Sequence, residues 1–362
     1  MELKIKTEEL QSMVNRVYQC VSNNKLVSMT SLISIAVKYG RLALTTTNDT
    51  NYYCAFSTST FDYTDIEVCV NADLFVKLVQ KTTSEEIKLV TEGDLLKVIG
   101  NGTYTIEIET DENGIVKFPN IADMKGDKSV GEVSLQKIKD IIMSNKASLG
   151  GAEFPISQYY YCKDVVATTN KKNVCHNETP MFDEALIISN VTMELLSTVS
   201  CDNIKVYKDE NDNTLFLTDK ETIYAPIKDQ AKVDDFPITS IQNLINSGFT
   251  SSFKISRTEL LNLLERLVLF VNVYDKKGID LVVSEDGLIV SNKKSSGTEI
   301  IKYIDSKDFT PFSCCINVEL LKNQLASLKS EVIEFYYGSK IAIKLKDENI
   351  TLLVALFNEE GK

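Results

Sequence analysis

Few residues in this chain could carry chemistry. His176 is the only histidine, so a Ser-His-Asp triad cannot be built elsewhere, and Cys-His catalysis has a single candidate, the adjacent Cys175 and His176. Neighbouring residues on a strand point to opposite faces, which places those two poorly for joint action. To hold zinc they would need two further ligands, and nothing nearby supplies them at a recognisable spacing. The eight cysteines contain no C-x-x-C pair, and several lie in strand-like runs such as Ile66 to Val70, so they read as small buried thiols. Glu85-Glu86 and Asp234-Asp235 have the composition of an acid–base couple or a magnesium site, which is the basis of a nuclease or phosphotransfer reading. Each pair abuts a turn signal, where solvated carboxylates are the simpler account. Tyr159-Tyr160-Tyr161 could stack bases, but alternate tyrosines on a strand face opposite sides. No G-x-x-x-x-G-K-[ST] loop and no G-x-G-x-x-G turn occurs, so there is no backbone cradle for a nucleotide. The sequence therefore leads us to expect no catalytic residue, no metal and no cofactor.

The elements around these residues repeat. From Ser251, Phe253 and Ile255 alternate with period two, then Leu260, Leu261, Leu263, Leu264, Leu267 and Val268 take helical spacing. Ser256 with Glu259 three residues on has the form of a capping box. After Gly278, Ile279 to Ser284 and Leu288 to Ser291 flank Glu285-Asp286-Gly287 as a hairpin, with a third strand near Thr298 to Ile304. This strand-helix-strand-strand-strand unit fits six times. The helices are expected at 7–21, 72–81, 134–147, 191–199, 256–268 and 318–328. Gly40 marks one hairpin, and Asn101-Gly102 signals a type I′ turn in another. Phe118-Pro119-Asn120 and Phe236-Pro237-Ile238 punctuate the series 118 residues apart, dividing the chain into domains at 1–125, 126–247 and 248–362. Each short amphipathic helix must bury one face, so the fold class expected is α+β: three similar domains of two units, antiparallel sheets outside and two helices inside.

With 362 residues and 43% hydrophobic content, each domain has material for its own core. No apolar run approaches the ~20 residues that cross a bilayer, and MELKIKTEEL lacks a leader pattern; a cytoplasmic protein with no membrane partner is expected.

Six such units with this punctuation resemble the bacterial sliding clamp, the beta subunit of the replicative DNA polymerase. The specific pieces are FPNIADM at 118–124, FPITSIQNLI at 236–245 and GIDLVVSEDGLIVSNKKSSGTEI at 278–300, and the resemblance spans essentially the whole chain. It implies a non-catalytic processivity factor: a homodimer ring, closed head to tail between first and third domains, that encircles double-stranded DNA without regard to sequence. It also implies a clamp-loader ATPase, and polymerases that insert a short apolar motif into a groove between the second and third domains. Thr168, Thr169, Pro237, Ile241, Leu353, Val354, Ala355, Leu356 and Phe357 match the groove positions. Two departures mark a divergent form, cellular or phage-encoded: Thr168-Thr169-Asn170-Lys171-Lys172-Asn173 stands where the family has Thr-Asp-Gly-His-Arg-Leu, and Phe357 is followed by Asn-Glu-Glu-Gly-Lys rather than the family's tail.

Charge gives a separate handle. The six helices, with the residue just past the last, carry Arg16, Lys77, Lys81, Lys137, Lys139, Lys146, Arg257, Arg266, Lys322 and Lys329. Against these ten stand eight acidic residues, a balance of +2, which leaves −14 for the remainder of a chain whose net charge is −12. Helices less acidic than the rest suit weak, sequence-independent contact with phosphates; exposed lysine on any solvated helix is the plainer account. By the resemblance, Lys25 and Gly150-Gly151 fall in loops that reach DNA. A non-catalytic β-rich scaffold that encircles nothing is the alternative function that repeats and acidity also allow.

Overall fold

Alternation becomes burial in the strand Ser251–Ser256, where Phe253 and Ile255 are buried and Lys254 is exposed. The computed structural model describes residues 2–22, 27–62, 67–112, 114–124, 126–151, 153–226, 232–271, 277–292, 296–307 and 310–357. Its helices are α1 (Thr7–Val17), α2 (Ala72–Lys81), α3 (Leu135–Asn145), α4 (Asn190–Leu196), α5 (Ile238–Asn246), α6 (Arg257–Val268) and α7 (Val318–Ala326). Six of them are the expected set, with α1 and α3 each passing into a short 3-10 turn.

The apolar stripe of α6 is Leu260, Leu263, Leu264 and Leu267, all buried. The Ser256 hydroxyl accepts from the Glu259 amide at 3.2 Å, but the reciprocal half of the expected box does not form. Ser256 closes a strand paired with Val332, its hydroxyl donates to Glu331 at 2.6 Å, and Glu259 stays exposed. The turn signals divide as well. Tyr39 and Gly40 both have positive φ between the paired residues Lys38 and Arg41, as a type I′ turn requires. The expected type I′ turn at Asn101-Gly102 is instead a three-residue loop, because Ile99 pairs with Thr103 and neither Asn101 nor Gly102 has positive φ. The Asn101 side chain accepts from the Thr83 amide at 2.7 Å, a neighbouring loop that fixes its conformation.

Close contacts divide the chain into two units, Met1–Ile138 with Val191–Gln230, and Lys139–Asn190 with Ala231–Lys362. In the first, an eight-stranded antiparallel sheet runs in the order Lys128–Ser134, Asn203–Lys208, Thr214–Leu217, Glu221–Ala225, Tyr52–Thr60, Arg41–Thr47, Leu32–Lys38, Glu67–Asn71. Strands from the second third of the chain thus join strands from the first without a break, through the pairing of Glu221–Tyr224 with Tyr52–Ala55. A four-stranded sheet (Glu2–Lys6, Glu86–Glu92, Leu95–Ile99, Thr103–Glu107) belongs to the same unit, and α1 packs on α2.

The second unit follows the same plan. Its nine-stranded sheet runs Leu186–Ser189, Tyr159–Cys162, Val166–Thr169, Asn173–Asn177, Ile350–Ala355, Ala342–Asp347, Val332–Tyr337, Ser251–Ser256, Asp305–Lys307. The pairing of Asn173–Asn177 with Ile350–Val354 carries it from the second third into the last. A four-stranded sheet (Thr298–Ile301, Gly287–Asn292, Gly278–Ser284, Phe312–Asn317) completes the unit. One face of the long sheet, through Cys175, Ile343, Leu345, Leu352 and Val354, packs with α6 and α7. The other, through Ala167, Val174, Ala342 and Leu353, is covered by α5.

The two Phe-Pro segments lie at matching places. Phe118 packs edge-on against Tyr52 at 6.4 Å between ring centroids, and Phe236 packs against Tyr161 at 5.6 Å. In the first unit the segment continues as the 3-10 turn Ile121–Asp123, whereas in the second it becomes α5.

Candidate nucleic-acid interface and partner groove

The helix cations are mostly engaged within the protein. Arg16, near the end of α1, donates through Nη1 to Glu221 at 2.8 Å and to the Ser200 hydroxyl at 2.6 Å, and through Nε to the Ser12 carbonyl. Glu221 is 1% exposed and Arg16 only 13%, which makes this a largely buried ion pair rather than a surface cation. Lys77 pairs with Asp73 along α2 at 2.5 Å, and Arg257 donates to the Ser330 carbonyl at 2.8 Å. Arg266 grips both oxygens of Glu299, and Lys329 pairs with Asp140 at 2.7 Å. Lys137 is half-buried. Lys81, Lys139 and Lys146 are exposed and Lys322 half-exposed, and none of these four ammonium groups has a carboxylate partner among the described residues. Lys25 lies outside the described residues.

Among the described residues the helices also expose acidic side chains, Glu8, Glu194, Glu259 and Glu265, and a set of neutral polar ones. On α1 the exposed residues include Ser12 and Asn15, with Gln19 just beyond, on α2 Gln80, on α6 Asn262, and on α7 Asn323. Asn15 and Gln80 are hydrogen-bonded to each other at 2.6 Å, and Gln11 reaches the carbonyls of Val79 and Thr82, so amides also tie α1 to α2.

The nine residues matched to the groove divide between two faces of the long sheet. Ile241 is buried in the cluster under α5 together with Leu353, and Ala355 shares the face of Leu353 by alternation. Pro237 precedes α5, and its carbonyl accepts from the Ile241 amide at 3.0 Å. The Thr169 hydroxyl closes its hairpin by donating to the Asn173 carbonyl at 3.1 Å. Thr168 points the other way, donating to Asn145 Oδ1 at 3.0 Å, and Val354 and Leu356 pack with the α6–α7 core. Phe357 is half-exposed, its amide donating to the Cys315 carbonyl. The α5 side is a strip of half-buried apolar side chains, Phe154, Tyr159, Ile238, Ile245 and Phe249, over the buried Ile241 and Leu353. Lys171 lies over Phe154 at 4.2 Å, and Lys344 over Phe249 at 4.6 Å. Phe154, Phe249, Lys171 and Lys344 were not among the sequence candidates.

Cys175 sits in the α6–α7 core and His176 on the opposite face, where burial lowers its pKa. Burial pushes the thiols of Cys20 and Cys54 up to about 12. Tyr160 and Tyr161 are buried, Tyr161 under α5. Among the described residues no cluster of three or more His, Cys, Asp or Glu side chains could hold a metal ion, and no helix is long and apolar enough to cross a membrane.

Two of the strands that end these sheets bear exposed apolar side chains. Thr103–Glu107 ends the four-stranded sheet of the first unit, with Tyr104 exposed. Thr298–Ile301 ends that of the second, with Ile300 exposed and Leu269 and Phe270, just past α6, 80% and 56% exposed.

The fold is similar to that of solved sliding clamps. The chain superposes over 99% of its length on the DNA polymerase III subunit beta from Pseudomonas aeruginosa (TM-score 0.84, 15% identity, all of that chain covered). It does so equally on the DNA polymerase sliding clamp from Bacillus subtilis (0.83, 13%, 99% of that chain) and on the beta subunit from DNA polymerase of Streptococcus pyogenes (0.82, 13%, all of that chain). A search of the curated proteins finds no match. Residues 1–120 match the family of the DNA polymerase III beta subunit, N-terminal domain. The resemblance carried by the Phe-Pro segments and the third-domain hairpin is thus borne out: the fold is that of the bacterial DNA polymerase III beta clamps, in a divergent sequence.

Proposed function

We propose that this chain is a non-catalytic DNA polymerase processivity factor, three domains (1–125, 126–247, 248–362) long, two copies of which close head to tail around duplex DNA in the cytoplasm. The observation that carries this reading is a pair of edge strands on one chain, each with exposed apolar side chains: Thr103–Glu107 with Tyr104, and Thr298–Ile301 with Ile300 and, just past α6, Leu269 and Phe270. An unpaired strand edge seeks a partner strand. A heterologous contact between two different edges gives a ring when it closes and a filament when it does not. The exposed helix residues of each unit mix acidic, basic and neutral amide side chains, which supports only weak contact with phosphates, so that in this reading the duplex is retained by topology and the protein can slide.

The apolar strip beside α5 is the docking place in this reading for a short extended segment of the polymerase, and for the loader ATPase that opens the ring. Such strips reward apolar anchors. The test is retention on circular DNA. Protein loaded on a closed plasmid is expected to survive a high-salt wash and to be lost when the plasmid is linearised; equal loss from both forms refutes encirclement and favours a scaffold.

A further inference from the structure

We propose that Lys344 is the positioning residue of the apolar strip, an ammonium clamp that holds α5 on the sheet and so maintains one wall of the docking place. The inference rests on the peptide-docking reading of that strip for its consequence, though not for its geometry. Lys344 lies on the strand Ala342–Asp347, directly across from Leu353 of the strip's floor. Its Nζ donates to the Ile245 carbonyl at 3.1 Å, in the last turn of α5. The same ammonium lies over the Phe249 ring at 4.6 Å and the Tyr336 ring at 4.3 Å.

Each contact is chemically apt. The last carbonyls of a helix lack intrahelical donors and carry partial negative charge, which a cation satisfies. Two ring faces supply the rest of the ammonium's surroundings without neutralising it. Burial lowers the Lys344 pKa, helped by nearby Lys346 and opposed by Glu334. No carboxylate lies within ion-pair distance of its Nζ among the described residues, so the rings and the carbonyl are its partners.

The clamp matters because α5 has little else to hold it. Its nine residues, ITSIQNLIN, contain no charge, and only Ile241 is buried. The remaining anchors, Ile238, Ile245 and Phe249, are half-buried, and the side of α5 away from the sheet is open at Thr239, Gln242 and Leu244. A short isolated helix is marginal in water, so the bond at its C-terminal turn decides whether the segment stays folded against the sheet. At the strip's other wall, Lys171 covers only one ring, Phe154, and is itself exposed; it serves as the control.

The experiment compares wild type, Lys344→Met, Lys344→Arg and Lys171→Met in the full-length protein. Two measurements are made: amide exchange of residues 241–249, and binding of a fluorescent, uncharged nine-residue peptide with Leu and Phe anchors. Lys344→Met, which keeps the apolar stem, is expected to speed exchange of that segment at least tenfold and to weaken peptide binding at least fivefold, with exchange in the long sheet unchanged. Lys344→Arg is expected to restore most of both, and Lys171→Met to leave the exchange of 241–249 as it is. Exchange in Lys344→Met that matches wild type overturns the clamp. Equal acceleration by Lys344→Arg and Lys344→Met overturns it too, since a cation would then not be what matters. If wild type does not bind the peptide, the docking reading fails, while the exchange comparison still decides the clamp.

Discussion

Replacing Arg16 by Met separates two roles that the sequence leaves merged. A helix arginine that meets phosphate would contribute about one unit to the slope of log affinity against log salt and little to stability. An arginine sealed against a buried carboxylate does the reverse, because its loss strands a charge; breaking such a pair costs about 3–5 kcal/mol. Glu221 keeps two donors from Ser200, the amide at 3.0 Å and the hydroxyl at 3.3 Å, and the guanidinium is not wholly sealed, so about 2–4 kcal/mol is expected for Arg16→Met. Glu221→Gln should cost less, and Arg16→Met with Glu221→Met should recover much of the loss, since two apolar side chains replace two desolvated charges. The assay is a double-mutant cycle by urea unfolding, with local amide exchange in the strands Glu221–Ala225 and Tyr52–Thr60 as the regional readout, alongside DNA retention over a range of salt. A stability change under ~0.5 kcal/mol, which is what an exposed side chain gives, combined with a shallower salt slope, would refute the latch and return Arg16 to the DNA-facing set.

Three further outcomes are expected. Leu269→Asp with Phe270→Asp, placed just past α6 in the second unit, should halve the mass seen by light scattering and abolish retention on circles, leaving the unfolding of each chain intact. Converting Lys81, Lys139, Lys146 and Lys322 to Gln should flatten the salt dependence of DNA retention by about 0.9 for each phosphate no longer neutralised, whereas Lys77→Gln, already paired with Asp73, should change it less; equal effects would remove the distinction between engaged and available cations. Burial alone would raise the Glu9 pKa, but hydrogen bonds from the hydroxyls and amides of Ser59 and Thr58 outweigh it and hold the carboxyl at about 2, against an ordinary 4.5. A depressed carboxyl stabilises above its unfolded pKa and loses that contribution as pH falls from about 4.5 toward 2. Glu9→Gln should therefore be less stable than wild type at pH 7 and converge with it near pH 2 in urea melts.

Much of the fold was legible because its signals are local. Period-two strands and the leucine spacing of α6 are set by the chain's own neighbours, and so are hairpins such as Tyr39-Gly40. What escaped depends on partners distant in sequence. Arg16 read as one helix cation among ten, and only the approach of Glu221, some two hundred positions later, turns it inward. Asn101-Gly102 carries a turn signal, but Thr83 and Ser84 compete for its side chain. Ile238, Ile241 and Ile245 have helical spacing, yet the Phe-Pro pair before them read as domain punctuation, and α5 was not among the expected helices. Thr168 and Val354 matched the strip by position, but the alternation of the strands Val166–Thr169 and Ile350–Ala355 turns both toward the helices.

The unbroken run of the eight-stranded sheet through Glu221–Ala225 and Tyr52–Thr60 has a consequence for synthesis. A nascent polypeptide leaving the ribosome completes the strand Tyr52–Thr60 long before residue 221 exists. Until then one side of that strand, rich in aromatic and apolar residues, faces water with its amides and carbonyls unpaired with another strand, and exposed strands of this kind are hazards for aggregation. The same delay recurs at Asn173–Asn177, which waits for Ile350–Ala355, some 175 positions later. A gene truncated at the Phe-Pro punctuation would thus not release a smaller working part; it would release a sticky half-sheet, and chaperone demand should peak in the intervals between each strand and its late-arriving neighbour.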